Sequence, residues 1–489
     1  MIAWVPVAVP ALVGLITLML GETRGRARNA VNLLGAIGSS AVVVSLVRSA
    51  YAGDTFTSRI PMLPGLTFGV STDLLGLLFS AVATVLWGVT LVYAIGYMDH
   101  ARDRARFFGF FAWCISAANG VALAEDPISL FIFYEVLSLT TYPLVVHNGT
   151  PEALAAGRKY LFYALGGGAA LLVGVAWLAS IAGPTPFTPG GALGAVAGRN
   201  NELRAIFALM VAGFGVKAAL MPLHGWLPGA MVAPAPVSSL LHAVAVVKAG
   251  VFGIIRLVNE LYGPELATSL GVATPLALLA AATILISSVI ALRQDDLKRR
   301  LAYSTIAQLS YITLGTALCS PLAAAGAVAH LAHHAVMKIT MFFTAGSVYE
   351  TLHVKKVSQM PGVARRMPLT MISFAVAAFA LAGIPPLAGF ASKWLLAAGA
   401  AEDGSVWAVL VYVTSGALAI GYMVPVLTSA LRPGKHAPAA GPESDPRMLW
   451  PIVAVAVLTV VFGLTAGLPG SPTHWAITAI APSFGGWTP

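Results

Sequence analysis

Long apolar runs separated by short polar connections set the rhythm of the chain. With about 20 mostly apolar residues needed to cross the hydrocarbon core of a bilayer, the runs predict helices over 2–20, 30–50, 73–98, 107–124, 127–147, 158–182, 204–221, 236–258, 274–292, 301–319, 322–349, 368–400, 405–431 and 450–468. The reading is an all-α polytopic membrane protein of about fourteen transmembrane helices. The seventh is interrupted by Pro222 in "GFGVKAALMPLHGWLP", and the twelfth by Pro385 and Pro386 in "AGIPPLAGFASKW". Interrupted helices are tolerated at membrane depth only where the freed backbone groups face protein or a water-filled cavity.

Charge follows the same rhythm. The odd-numbered connections carry 19 of the 28 basic residues: Arg24, Arg26, Arg28, Arg102, Arg104, Arg106, Arg158, Lys159, Arg293, Lys298, Arg299, Arg300, Lys355, Lys356, Arg365, Arg366, Arg432, Lys435 and Arg447. The even-numbered ones hold Arg59, Arg199 and Arg204 beside acids such as Glu125, Asp126, Glu260, Glu265, Glu402 and Asp403. The positive-inside rule then puts the odd connections in the cytoplasm and both termini outside. One missed or invented span would reverse every later connection, and the pattern stays in phase.

Composition agrees. Of 489 residues, 58% are hydrophobic and 10% charged, with a mean hydropathy of +0.84, against about 25% charged in soluble domains. Nearly the whole chain is membrane, so no soluble catalytic domain is expected and the chain is not read as an enzyme. The net charge of +9 is accounted for by topology and gives no support to nucleic-acid binding. The first 20 residues lack the basic region and cleavage site of a secretory signal and read as a retained helix. Cys114 and Cys319 stand singly, without the spacing of a cluster or structural zinc site, so no cofactor is expected. Asn148-Gly149-Thr150 matches a glycosylation acceptor by chance, and the glycines at 166–168 suit close helix packing.

Six basic residues remain inside the spans. Arg48 and Arg256 lie near helix ends, where snorkelling to the interface accounts for them; Lys217, Lys248, Lys338 and Lys393 lie deep. Of the 19 acids, only Glu135 falls well within a span. A charge at the bilayer centre costs about 2.5–3.5 kcal/mol on insertion scales, and four lysines against one glutamate are not all structural pairs. Each lysine alone has a bland account, its stem snorkelling or its head bound to carbonyls freed at a break. Together they suggest a proton relay, because burial weakens a lysine's hold on its proton and a nearby carboxylate strengthens it. Histidines extend the set: His224 follows the Pro222 break, His242 precedes Lys248, and His330, His334 and Lys338 share one helix face at i, i+4, i+8. The H-x-x-H-H run also admits interhelical hydrogen bonding or a metal; no carboxylate or cysteine neighbours it.

An echo links the breaks: "PLHGW" at 222–226 and "PLAGF" at 386–390. Paired interruptions at corresponding places are the mark of a transporter built from repeated units, here helices four to eight and nine to thirteen.

At these residues the chain resembles the proton-conducting antiporter-like subunit family shared by respiratory complex I, Mrp-type cation/proton antiporters and membrane-bound hydrogenases. "FGVKAALMPLHGWLPGAMVAPAPVSSLLHAVAVVKAGVF" is similar to the family's seventh and eighth helices, "LKRRLAYSTIAQLSY" to the start of the tenth and "AGIPPLAGFASKW" to the broken twelfth; the likeness covers roughly residues 70–430. It implies two inverted five-helix repeats, with an N-terminal three-helix segment at 1–106, the first repeat at 107–258, the second at 259–431 and a last helix and tail at 432–489. It also implies Glu135 paired with Lys217, Lys248 and His242 as central relay groups, Lys393 at the end of the relay, and His330, His334 and Lys338 joining the halves. The combination of Lys248, Lys393 and the short C-terminus is most like the D subunit of an Mrp-type antiporter. The expected function is proton translocation coupled to Na+ exchange in the cell inner (plasma) membrane, with other membrane subunits, protons, Na+ and the lipid bilayer as partners. A proton-pumping subunit of a quinone-reducing or hydrogenase-like complex, or of an inorganic-carbon uptake complex, remains open.

Overall fold

A computed structural model describes residues 1–63, 66–196, 198–434 and 443–488. Lys435, among the basic loop residues above, lies outside them. The first helices are α1 (Val5–Leu20), α2 (Gly25–Tyr51), α3 (Leu74–Tyr97), α4 (Arg104–Leu123), α5 (Pro127–Val145), α6 (Pro151–Ala182) and α7 (Asn200–Lys217). After the first interruption come the short α8 (Trp226–Gly229), α9 (Ala235–Ser239), α10 (Val246–Arg256) and α11 (Pro264–Ser269). The remainder are α12 (Ala273–Leu292), α13 (Leu297–Ala317), α14 (Pro321–Leu352), α15 (Val363–Arg366), α16 (Pro368–Ala382), α17 (Ala388–Glu402), α18 (Val406–Leu431), α19 (Pro446–Leu464) and α20 (Pro472–Ile480).

Local chemistry sets many of these starts. Asp126-Pro127 and Thr150-Pro151 pair an N-cap oxygen with a proline that needs no hydrogen bond in the first turn; the caps accept from Ser129 and Ala153 backbone N–H. Thr150 therefore caps a helix where the sequence shows a glycosylation-like triplet. Asp73 and Asp296 cap α3 and α13 with side-chain oxygens that accept from Gly76 and Arg299 N–H, without the proline.

Among the described residues, ten helices are long and apolar enough to cross a membrane by themselves. The structure has helix in each of the fourteen predicted stretches. The seventh is shorter than its apolar run, because α7 ends at Lys217 rather than 221, and the twelfth divides into α16 and α17.

One element departs from the all-helical expectation. Between α2 and α3 the chain forms an antiparallel hairpin, β1 (Thr57–Leu63) and β2 (Leu66–Ser71), with Thr57 opposite Ser71 and an irregularity between Pro61 and Leu63. Its outer strand edge is tied down: Val70 bridges Ala124, Glu125 N–H donates to Gly69 O at 3.1 Å, and Arg59 forks onto the Glu125 carboxylate.

The odd-numbered connections gather on one face. Ala105 N–H donates to Glu22 (2.6 Å), Arg106 to His147 O (3.2 Å), Arg447 to Asp99 (2.8 Å), Leu297 N–H to Lys355 O (2.9 Å) and Gly362 N–H to Arg432 O (2.8 Å). The even-numbered ones meet on the other, where the hairpin, Glu125, Phe187 and Thr188, and Glu260 follow one another by backbone bonds such as Phe187 N–H to Glu125 O (2.9 Å) and Thr188 N–H to Glu260 O (3.1 Å).

At the centre runs α14, 32 residues long and buried at every position from Leu322 to Val348. It packs against α3, α9, α13, α16, α17, α19 and α20.

Candidate functional site

Sequence dictates the first interruption. Pro222 cannot donate to a helix, and Ala219 takes a positive φ of 55° just before it, so α7 stops at Lys217. The carbonyl of Val216, left without its helical partner, accepts from Trp226 Nε1 at 2.7 Å. Lys217 is 1% exposed. Its ammonium donates to Tyr134 O on α5 and stands 3.3 Å from the centre of the Tyr134 ring, so a carbonyl and a π face together replace part of its water.

Glu135 is the neighbour of that tyrosine but makes no ion pair with Lys217 within 4.0 Å. Its carboxylate lies against Gly168 of α6, where a Cβ would sit 2.5 Å from Oε1. The pairing implied by resemblance is therefore a proximity in this conformation, because the lysine has turned to Tyr134.

Two π-helical turns, Leu240–Val244 and Leu257–Tyr262, bracket α10. The first carries His242, buried, its ring stacked on Phe342 at 4.5 Å and both nitrogens without a protein partner. Gly250 lets α10 close on the end of α7, since a Cβ there would lie 2.2 Å from Ala218 N. Lys248, fully buried, reaches the opposite way: its Nζ lies 2.8 Å from Nδ1 of His334 on α14.

From His334 the line continues along α14. The His330 ring stacks on that of His334 with centres 5.7 Å apart, and it bonds Ser392 Oγ (2.9 Å) on α17 and Gln308 Oε1 (3.1 Å) on α13. One turn the other way, Lys338 donates to Leu301 O (3.2 Å) and to Ser304 Oγ, both on α13. Lys393, on α17 beyond the second interruption, donates to Leu381 O (2.5 Å) of α16 and faces the Tyr311 ring at 4.9 Å. Leu381 precedes Gly383, whose φ of 94° ends α16, so a carbonyl at a broken helix end holds an ammonium.

The structure thus brings Lys248, His334, His330 and Ser392 into contact and places Lys338 and Lys393 on their flanks. It leaves His224 aside: this residue sits half-buried in the turn after the break, 6.2 Å from the Tyr303 ring and beside Lys159, with no contact to Lys217. His333, the middle histidine of the run, faces Phe462 instead (6.2 Å).

Two charged groups sit elsewhere than sequence places them. Arg256 does not snorkel: it is 2% exposed, bonded to Asp73 at 2.7 Å, to Glu260 and to Ala122 O at 3.2 Å. Glu260, assigned to a connection, is 4% exposed within the second π turn. The i, i+4 spacing of Arg256 and Glu260 is the signal that sequence offers. Ser304 and Gln308 also join the site without having been singled out, though their i, i+4 spacing puts two polar groups on one face of an apolar helix.

Residues 124–419 match the family described as NADH:quinone oxidoreductase/Mrp antiporter, TM, and 64–108 match NADH-Ubiquinone oxidoreductase (complex I), chain 5 N-terminus. The chain is 35% identical over 393 residues to the N subunit of the NADH-quinone oxidoreductase of Desulforudis audaxviator, covering 76% of this chain and 77% of the relative. It is 27% identical over 469 residues to the D subunit of the Na(+)/H(+) antiporter of Alkalihalophilus pseudofirmus, covering 94% and 93%. Its fold is that of a chain in the Mrp complex of a Dietzia species (TM-score 0.88, 22% identity, 99% and 98% covered) and of one in the membrane-bound sulfane sulfur reductase (TM-score 0.88, 23% identity, 99% and 98% covered). With the match spanning both interruptions and every lysine of the buried line, the chain belongs to the NADH:quinone oxidoreductase/Mrp antiporter family of transmembrane subunits.

Proposed function

We propose that the chain is the proton-translocating subunit of a multi-subunit Na+/H+ antiporter. The observation that carries this reading is the contact of Lys248, His334 and His330 on the buried axis, between two helix interruptions that each hold a lysine. A buried amine or imidazole accepts or releases a proton without breaking a covalent bond, and chains of such groups relay protons through a membrane. Glu135, whose Oε1 is buried without a hydrogen-bond partner, supplies the electrostatic step: a carboxylate drawn close retains the lysine's proton and one withdrawn releases it.

Fourteen crossings, both termini outside, two inverted five-helix repeats at 107–258 and 259–431 and a place in the plasma membrane complete the proposal. The convergence of the basic connections on one face supports the phase of the helix count. The likeness to an antiporter D subunit along nearly the whole of both chains favours cation exchange. One elementary charge crossing 100 mV is worth about 2.3 kcal/mol, so unequal exchange of protons and Na+ draws on the membrane potential.

A second reading is favoured by the more identical relative, named as a subunit of a quinone oxidoreductase: a pump driven by electron transfer in partner subunits. Inverted vesicles containing the whole complex separate the two. A Na+-driven pH change in wild type, lost in Lys217→Ala and kept in the exposed Arg26→Ala, supports exchange; lumen acidification that needs an electron donor and ignores Na+ supports the redox pump. Transport by Lys217→Ala equal to wild type in both assays overturns the relay.

A further inference from the structure

We propose that a second cavity, where the ninth, eleventh and thirteenth connections meet, binds a phosphate group, carried there by the headgroup of an anionic phospholipid in the leaflet on the basic face. The cavity holds about 300 Å³ and lies beside the ends of α12 and α18. Arg293 just after α12, Arg300 in the first turn of α13 and Arg432 just after α18 line it, against one carboxylate, Asp295. That carboxylate is already engaged, since Ser358 donates to it with its N–H at 3.0 Å and its hydroxyl at 2.8 Å. Among the described residues none of the three arginines has an ion pair within 4.0 Å.

Arg300 separates this site from an ordinary row of loop charges. Arg293 and Arg432 each follow a helix C-terminus, where a cation offsets the negative end of the macrodipole, and loops on this face are basic by topology alone. Neither reason covers Arg300, which is 7% exposed and stands at a helix start, where the dipole disfavours a cation and favours an anion. Its Nε and Nη1 donate to Gln294 O and Tyr422 O, each at 2.8 Å. A guanidinium has five N–H donors in a planar fork, so donors remain for a ligand in the cavity that Arg300 lines. Three arginines and one occupied carboxylate leave the cavity positive, and a phosphate matches both that charge and the bidentate geometry of the fork.

The frame is built before any ligand arrives. Val357 N–H donates to Asp295 O, Gly362 N–H to Arg432 O and Ser429 Oγ to Val357 O, each at 2.8 Å, so the three connections and α18 are tied to one another around the arginines. The carrier of the phosphate follows from the cavity's edge. Leu292 and Leu431, the last residues of α12 and α18, are exposed, as is Val289 one turn further in. Apolar surface that meets acyl chains therefore adjoins the arginines, the arrangement by which basic pockets between transmembrane helices take anionic headgroups.

The test uses the purified, delipidated complex in detergent, titrated with phosphatidylglycerol, phosphatidylcholine or inorganic phosphate, with bound ligand counted by native mass spectrometry. Wild type is expected to take up phosphatidylglycerol in preference to phosphatidylcholine, whose tails are the same and whose headgroup carries no net charge. Arg293→Gln and Arg432→Gln should each weaken phosphatidylglycerol binding about fivefold, the worth of one arginine near an anionic surface, and Arg300→Met at least as much. Arg26→Gln, an exposed arginine on another connection of the same face, should leave it unchanged. Equal uptake of the two lipids, or equal weakening by Arg26→Gln, overturns the site. Inorganic phosphate that displaces phosphatidylglycerol at equal concentration keeps the phosphate chemistry and overturns the lipid as its source. If Arg300→Met does not assemble, the double variant Arg293→Gln with Arg432→Gln decides, and wild-type affinity in it overturns the proposal. Binding is read without transport, so the outcome is separate from that of the relay.

Discussion

Nζ of Lys248 and Nδ1 of His334 meet at 2.8 Å although 86 residues separate them in sequence. Both are fully buried, so one proton between them is shielded from solvent. Groups that act as one unit are non-additive. Lys248→Ala and His334→Ala should each lower proton flux in vesicles by about a hundredfold, and the double variant should be no slower than the worse single. Multiplying effects would mean that the two do not share a proton.

The three glycines at 166–168 face different neighbours. Nothing lies within 4 Å of a Cβ built on Gly166, whereas one on Gly168 falls 2.5 Å from Glu135 Oε1 and one on Gly167 falls 2.7 Å from Val216. Gly166→Ala should leave both stability and flux unchanged. Gly168→Ala should displace the flexible carboxylate and slow flux at nearly constant melting temperature, while Gly167→Ala should destabilise by about 1–3 kcal/mol through overpacking. Equal behaviour of Gly166→Ala and Gly168→Ala in the flux assay would remove Glu135 from the step.

Arg256 joins α10 to Asp73 and Glu260 and is 2% exposed. Arg256→Met leaves the buried Glu260 carboxylate unpaired, and breaking a buried pair from one side costs about 3–5 kcal/mol. Thermal unfolding in detergent should show that loss, with Arg256→Met plus Glu260→Gln recovering part of it. Failure of the double variant to recover anything would assign the loss to packing against Phe187 and Phe252 instead.

His147 lies in the connection after α5, edge-on to Phe107 at 5.4 Å, with Arg106 beside it. Burial, then Arg106, lowers its pKa below the ordinary histidine value. Above about 6.5 the ring is neutral folded or unfolded and contributes no pH dependence; below it the unfolded chain binds the proton first, so stability falls as pH drops toward the folded value. Asp103 and Glu22, on neighbouring connections, partly oppose the shift. Melting temperature measured from pH 7.5 to 5 should fall more steeply for wild type than for His147→Gln, and parallel curves would rule the histidine out.

Hydropathy and charge write some features locally, and those are legible in the chain: helix positions, the two proline breaks, the alternation of basic loops and the lysines whose cost in a bilayer demands a reason. Lys248, His330, His334, Lys338 and Lys393 stand out that way. What escapes depends on partners far off in sequence. Glu135 and Lys217 look like a pair, yet the lysine's reach is decided by where α5 presents the Tyr134 carbonyl. Arg256 looks superficial because its partner Asp73 is 183 residues away. The hairpin is invisible to a hydropathy window, although the Pro64-Gly65 dipeptide is a turn signal and its anchor, Glu125, lies two helices later.

The burial of α14 has a mechanical side. At about 1.5 Å per residue its 32 residues extend about 48 Å, well beyond a hydrocarbon core of about 30 Å, yet from Leu322 to Val348 it presents nothing to lipid. Hydrophobic mismatch acts on helices that touch acyl chains, and here those are helices such as α2, α6 and α18, which expose Leu34, Phe162 and Val413. A thinner or thicker bilayer will tilt that outer ring first, and the row of histidines within is insulated from it by a full layer of protein.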